Sequence, residues 1–137
     1  MCKDIKKYEV MNLLIHACPS YKKRWENYLK DNYEDNEGPL LYNDLSDFAR
    51  HLADLYSKGN FEEFPKVFDV IERLHTDGDE EVQEAATIGL LEDLQNLGIN
   101  PNPDGMKKYL HSVSLKWWND LEDFWNGYTE YVGGPKK

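Results

Sequence analysis

Between Asp79 and Leu97 the apolar residues Val82, Ala85, Ala86, Ile88, Leu90, Leu91, Leu94 and Leu97 recur over more than half of a helix's circumference. A helix that apolar must be covered on several sides, so this segment predicts the central helix of a multi-helix core. Ala85, Ala86 and Gly89 form a small-residue patch within it. A glycine there costs about 1 kcal/mol of helix propensity, which only close packing against another helix offsets. The 137 residues suffice for one such core and not for two. With 40% hydrophobic and 13% aromatic residues there is enough apolar surface to exclude wholesale disorder.

The flanking segments carry the same period. Ile5, Tyr8, Met11 or Asn12, and Ile15 predict a first helix that ends near Ala17, before Pro19. Ser20 can cap a second helix with the stripe Tyr21, Trp25, Tyr28 and Leu29, followed by an acidic loop from Asp31 to Gly38. Leu41, Leu45, Phe48, Leu52 and Leu55 predict a third helix, with Asn43 or Asp44 as N-cap and Gly59 just past its end. Asn60 and Glu63 have the spacing of a capping box before Phe64, Val67, Phe68, Ile71 and Leu74. Asp77-Gly78 reads as a turn, Asp79 as the cap of the central helix and Gly98 as its close. Pro103 opens a last helix through Met106, Tyr109 or Leu110, Val113, Trp117, Leu121 and Phe124. The expectation is an all-α, compact bundle of about six helices over residues 1–132, with a flexible tail at 133–137.

The run Asp79-Glu80-Glu81-Val82-Gln83-Glu84-Ala85-Ala86, continuing to Leu90 and Leu94, resembles the inner helix of a HEAT-type repeat. It departs from that pattern at Gln83, where such helices usually carry Arg, and no second copy at a period of about 40 is legible. The longer stretch from Phe64 through His75 and on through Ala85 to Asn96 resembles a family of small uncharacterised bacterial proteins, over roughly residues 40–98. It is similar to proteins of the immunity type, cytoplasmic antidotes paired with secreted toxins. That resemblance implies an inhibitor and brings no activity.

Charge is unevenly distributed. The formal net charge of −10 argues against phosphate-backbone binding, so no nucleic-acid partner is expected. Residues 1–30 hold seven basic and three acidic side chains, residues 31–105 four and 19, and residues 106–137 five and four. The middle of the chain is therefore the acidic part. Acids at helix N-termini are also what the helix dipole favours, so Asp79, Glu80 and Glu81 have a purely local explanation beside a functional one. The functional reading is a surface that docks a basic protein through Glu34, Asp35 and Glu37 in the loop and Asp77, Asp79, Glu80, Glu81 and Glu84 at the turn. Trp117, Trp118, Phe124, Trp125, Tyr128 and Tyr131 crowd the C-terminal end. Adjacent helix positions diverge by about 100°, so Trp117 and Trp118 cannot both face one core. Trp118 and Trp125 are the expected apolar anchors for a partner, or for a second copy of the chain in a homodimer; the plain alternative is that these rings cover the edge of the core.

Reactive chemistry is sparse in the sequence. No Walker loop, GxSxG, GxGxxG or HExxH occurs. His16 and Cys18 are the only close His/Cys pair, and His51, His75 and His111 are scattered, so no metal or cofactor is expected. The acids around Asp77 lack the twelve-residue spacing of a calcium loop. A Cys18 nucleophile would need a fold that brings a histidine to it, and an enzyme is not expected. Two cysteines in a chain with its own core argue against a disulfide scaffold. With no signal peptide and no membrane-length apolar run, a cytoplasmic location without membrane contact is expected. The reading is an acidic protein-binding domain, most concretely an immunity-like inhibitor that occludes a basic toxin. The alternative is an adaptor that self-associates through its aromatic C-terminal helix.

Overall fold

The computed structural model describes residues 5–32, 41–101 and 103–125, the side chains of 31, 32 and 125 excepted. The described residues form seven helices and no strand. Helix α1 is Lys7–Ala17 and α2 is Lys22–Asn32, entered through a 3-10 turn at Pro19–Tyr21. Helix α3 is Leu41–Ser57 and α4 is Phe64–Asp77. Helix α5 is continuous but changes pitch: Glu80–Glu84 is α-helical, Ala85–Leu91 is π-helical and Glu92–Gln95 is α-helical again. Helix α6 is the short Pro103–Lys107, and α7 is Ser112–Trp125. No helix among the described residues is long and apolar enough to cross a membrane.

Helix α5 is the centre of the bundle, as its apolar circumference requires. Its π-helical stretch packs on α3, α4 and α7. Gly89 makes the α3 crossing possible: a Cβ there would lie 2.7 Å from Tyr42 Cδ1 and 3.3 Å from Leu45 Cδ1. Asp79 caps α5 by accepting from Val82 N–H at 2.9 Å. Gly59 stops α3 in the left-handed conformation, φ +74°, that glycine adopts without steric cost. Trp118, Tyr21, Phe48, Phe64, Phe68, Leu14, Leu45, Leu52, Ile71, Leu74, Leu90 and Leu91 are the largest fully buried side chains of the core among the described residues.

Several local expectations are corrected. The first helix keeps Met11 inward and Ile15 partly buried against the core, but its buried face is centred on Val10, Leu14 and Ala17, and Tyr8 is 72% exposed. Ile5 is buried but precedes the helix, in an isolated parallel bridge to Gly78. There its N–H donates to Asp77 O and its carbonyl accepts from Asp79 N–H, both at 3.1 Å. Asp31 is helical, and Asp44 lies buried inside α3, which starts two residues before Asn43. Asn60 and Glu63 form no capping box, because the Glu63 carboxylate is taken by the α1–α2 connection. Helix α5 ends at Gln95, leaving Leu97 70% exposed in a turn, where Gly98 N–H bonds the Asn96 side chain.

The expected last helix is two helices. Tyr109 is drawn against Phe64 and Phe68, with ring centroids 5.1 and 5.6 Å apart, and the chain turns at that point. The Glu72 carboxylate of α4 then caps the new N-terminus, accepting from Val113 N–H at 3.0 Å and Ser114 N–H at 2.8 Å. The 33–38 part of the expected loop and the 133–137 tail lie outside the described residues.

Candidate functional site

Two groupings of side chains stand out. The first is the acidic edge at the α4–α5 turn. Glu80, Glu81 and Glu84 are exposed on the first turns of α5, and Asp77 and Asp79 are partly exposed beside them. Glu84 lies 3.4 Å from the Tyr42 hydroxyl, so the edge reaches the start of α3. Cations already touch part of it. Lys6 reaches Asp79 at 3.8 Å, Lys7 reaches Glu81 at 3.6 Å and Arg73 reaches Asp77 at 3.7 Å. Such solvated pairs are worth at most about 1 kcal/mol each and can exchange for other cations. Glu34, Asp35 and Glu37 lie outside the described residues, as does the side chain of Trp125.

The aromatic anchor is corrected. Trp118 is fully buried in the core, its carbonyl accepting from Gln95 Nε2 at 2.9 Å, so its ring offers a partner nothing. Trp117 is the ring of that pair left half-exposed, with the Lys116 ammonium 4.8 Å over it. Position 118 shares a face with Ser114 and Leu121, and it is this face that Glu72 and α5 turn inward.

The second grouping was not legible in the sequence. Cys18 follows α1, Ser20 sits in the 3-10 turn, His51 is on the buried side of α3 and Glu63 immediately precedes α4. The fold brings these four together. Glu63 accepts from Cys18 Sγ at 3.1 Å, from Ser20 N–H at 3.0 Å and from the Ser20 hydroxyl. The Ser20 Oγ lies 3.0 Å from His51 Nε2 and 3.6 Å from Cys18 Sγ. The His51 ring is held by Tyr21, 5.1 Å away between centroids, and Tyr21 in turn donates to Asp47 at 2.6 Å.

The electrostatics follow from that geometry. Burial pushes the Cys18 thiol up to about 12, and its hydrogen bond to the Glu63 carboxylate adds to this. Burial lowers the basicity of His51, and nearby Arg24 lowers it further. For Glu63, burial alone would raise the carboxyl, but bonds from Ser20 and Cys18 outweigh it and hold the group below its ordinary value. Because Ser20 gives its proton to Glu63, its oxygen can only accept from His51. A nucleophilic serine would instead give that proton to the histidine, and a nucleophilic cysteine would have a lowered pKa. The arrangement is a polar latch tying the α1–α2 connection to α3 and α4. Its donor atoms, a thiol, an imidazole nitrogen and a carboxylate, lie within 4.8 Å of one another. His16, the histidine nearest to Cys18 in sequence, is exposed.

The residues of both groupings, the N-terminal Lys6 and Lys7 apart, fall within one family match. The chain belongs to the DUF7674 family. That family's model, described as a domain of unknown function, matches residues 11–126, wider than the 40–98 stretch that carries the resemblance in the sequence. No curated protein and no solved structure matches the chain.

Proposed function

We propose that this domain is an acidic binding module that docks a basic protein, in the manner of an immunity-type inhibitor covering a toxin in the cytoplasm. The observation that supports the reading best is the acidic edge: Glu80, Glu81 and Glu84 project together from the start of α5, on a segment spanning residues 31–105 with 19 acids and four bases. Lys6, Lys7 and Arg73 are weakly held by the same acids, so a partner's lysines and arginines can replace them at little cost. Complementary charge acts chiefly on encounter, raising the association rate at low salt.

The test is to isolate the basic partner by pull-down with the full chain and follow binding kinetics from low to high salt. The variants are Asp35→Asn, Glu80→Gln and Glu81→Gln, singly and combined. The expected result is an association rate that falls with salt in the parent chain, and a combined variant that binds about tenfold more slowly with a shallower salt slope. An association rate indifferent both to salt and to these changes overturns the reading.

A further inference from the structure

Among the described residues, one cluster gathers soft and hard metal-binding donors from three separate elements: Cys18 Sγ after α1, His51 Nε2 on α3 and a Glu63 carboxylate oxygen before α4. We propose that Cys18, His51 and Glu63 bind one zinc ion, with the Ser20 hydroxyl or a water as the fourth ligand.

The donor set selects the ion. Thiolate, imidazole and carboxylate together suit borderline-soft Zn²⁺, whereas Ca²⁺ and Mg²⁺ require oxygen ligands throughout. Zinc bonds of 2.0 to 2.3 Å in a tetrahedron place ligand atoms roughly 3.3 to 3.8 Å apart. Cys18 Sγ and Glu63 Oε1 are 3.1 Å apart, and the whole set lies within 4.8 Å, so side-chain rotations of an ångström or so complete the geometry. The Ser20 Oγ occupies the middle of the set, 3.0 Å from His51 Nε2 and 3.6 Å from Cys18 Sγ. Ser20 is exposed, so its hydroxyl can turn aside to admit the ion and then ligate it from the open side or yield that position to a water. The Tyr21 ring packs against the His51 ring, centroids 5.1 Å apart, and limits its rotation. On binding, the Cys18 S–H bond breaks, a sulfur–zinc bond forms and the proton passes to the solvent. The ion would then hold what the hydrogen bonds of Glu63 now hold, the α1–α2 connection against α3 and α4. The site is separate from the acidic edge: Glu63 precedes the first residue of α4 and Asp77 ends it, some 20 Å along a 14-residue helix.

The experiment uses the full chain carrying Cys2→Ser, so that Cys18 is its one thiol, titrated with Co²⁺ and then Zn²⁺. Absorption, native mass spectrometry and thermal unfolding are the readouts. The expected result is one Co²⁺ per chain with a thiolate-to-cobalt charge-transfer band, displacement by one Zn²⁺, and a rise in Tm on zinc addition. Glu63→Gln and His51→Gln should each weaken zinc binding at least tenfold, and Cys18→Ser should abolish the band. Glu63 is partly exposed, so Glu63→Gln leaves a folded variant to measure even if Cys18→Ser does not fold. A chain that shows no thiolate band, or whose zinc affinity is the same with Glu63→Gln and His51→Gln, overturns the proposal and leaves a hydrogen-bonded latch.

Discussion

At the scale of single residues, the buried histidine of the core has the clearest chemical consequence. His75 Nδ1 lies 3.1 Å from Ile71 O and 3.0 Å from Ser114 Oγ, and Nε2 lies 3.1 Å from Thr87 Oγ1. Burial lowers its pKa from 6.5 to about 4, although the Ile71 carbonyl and the Glu72 charge pull the other way. The folded state therefore holds this ring neutral over a range where the unfolded chain protonates it. Between pH 6.5 and about 4 the unfolded state binds more protons, so stability falls as pH falls through that window. The full shift corresponds to roughly 3 kcal/mol. Urea unfolding at steps from pH 7 to pH 4.5 should show this loss in the parent chain, and His75→Gln, which keeps polar atoms at the site, should show a smaller one. Equal slopes would place the acid sensitivity elsewhere.

At the scale of elements, the break between α6 and α7 depends on an acid in another helix. Glu72 satisfies two backbone N–H groups at the start of α7, and those bonds hold its carboxyl below the ordinary range although burial opposes them. Replacing a cap by alanine costs about 0.5 to 2 kcal/mol. Glu72→Ala should show that loss in denaturant unfolding, with faster amide exchange confined to the first turn of α7. Unchanged protection at Val113 and Ser114 would mean that other groups cap the helix. The same element shows why its inner face was misread. An unbroken stripe from Met106 to Phe124 put Trp117 inward, but the turn at Lys108–His111 resets the phase and Trp118 fills the core instead.

At the scale of the whole molecule, the start of the chain straps onto its middle. Ile5 is 5% exposed and bridges to Gly78, on the turn that launches the central helix, and Lys6 and Lys7 extend the contact to Asp79 and Glu81. Cutting a buried isoleucine back to alanine costs about 2 to 5 kcal/mol. Ile5→Ala should lower stability by that order in thermal or chemical unfolding while the circular dichroism spectrum stays helical. A stability unchanged by it would show that the strap adds nothing to the bundle.

The fold class, the central place of the Asp79–Leu97 segment and most of the helix-forming stretches are legible in the amino-acid order, because apolar period, caps such as Asp79 and the glycine at Gly59 are local signals that act within one or two turns. The charge asymmetry is legible there too, since charge needs only counting. Long-range packing sets which face α1 and α7 turn inward, where α7 begins and what Glu63 and Glu72 do. Each of these depends on partners 23 to 73 residues away, from Gln95 beside Trp118 to Gly78 beside Ile5, and a local signal such as the Asn60–Glu63 capping box loses when a distant donor binds the same carboxylate. The Cys18–Ser20–His51–Glu63 cluster belongs to the same class. Its spacing matches no motif, because the α1–α2 connection supplies Cys18 and Ser20, α3 supplies His51 and the residue before α4 supplies Glu63, and the distances between them in sequence are set by helix lengths rather than by the chemistry of the site.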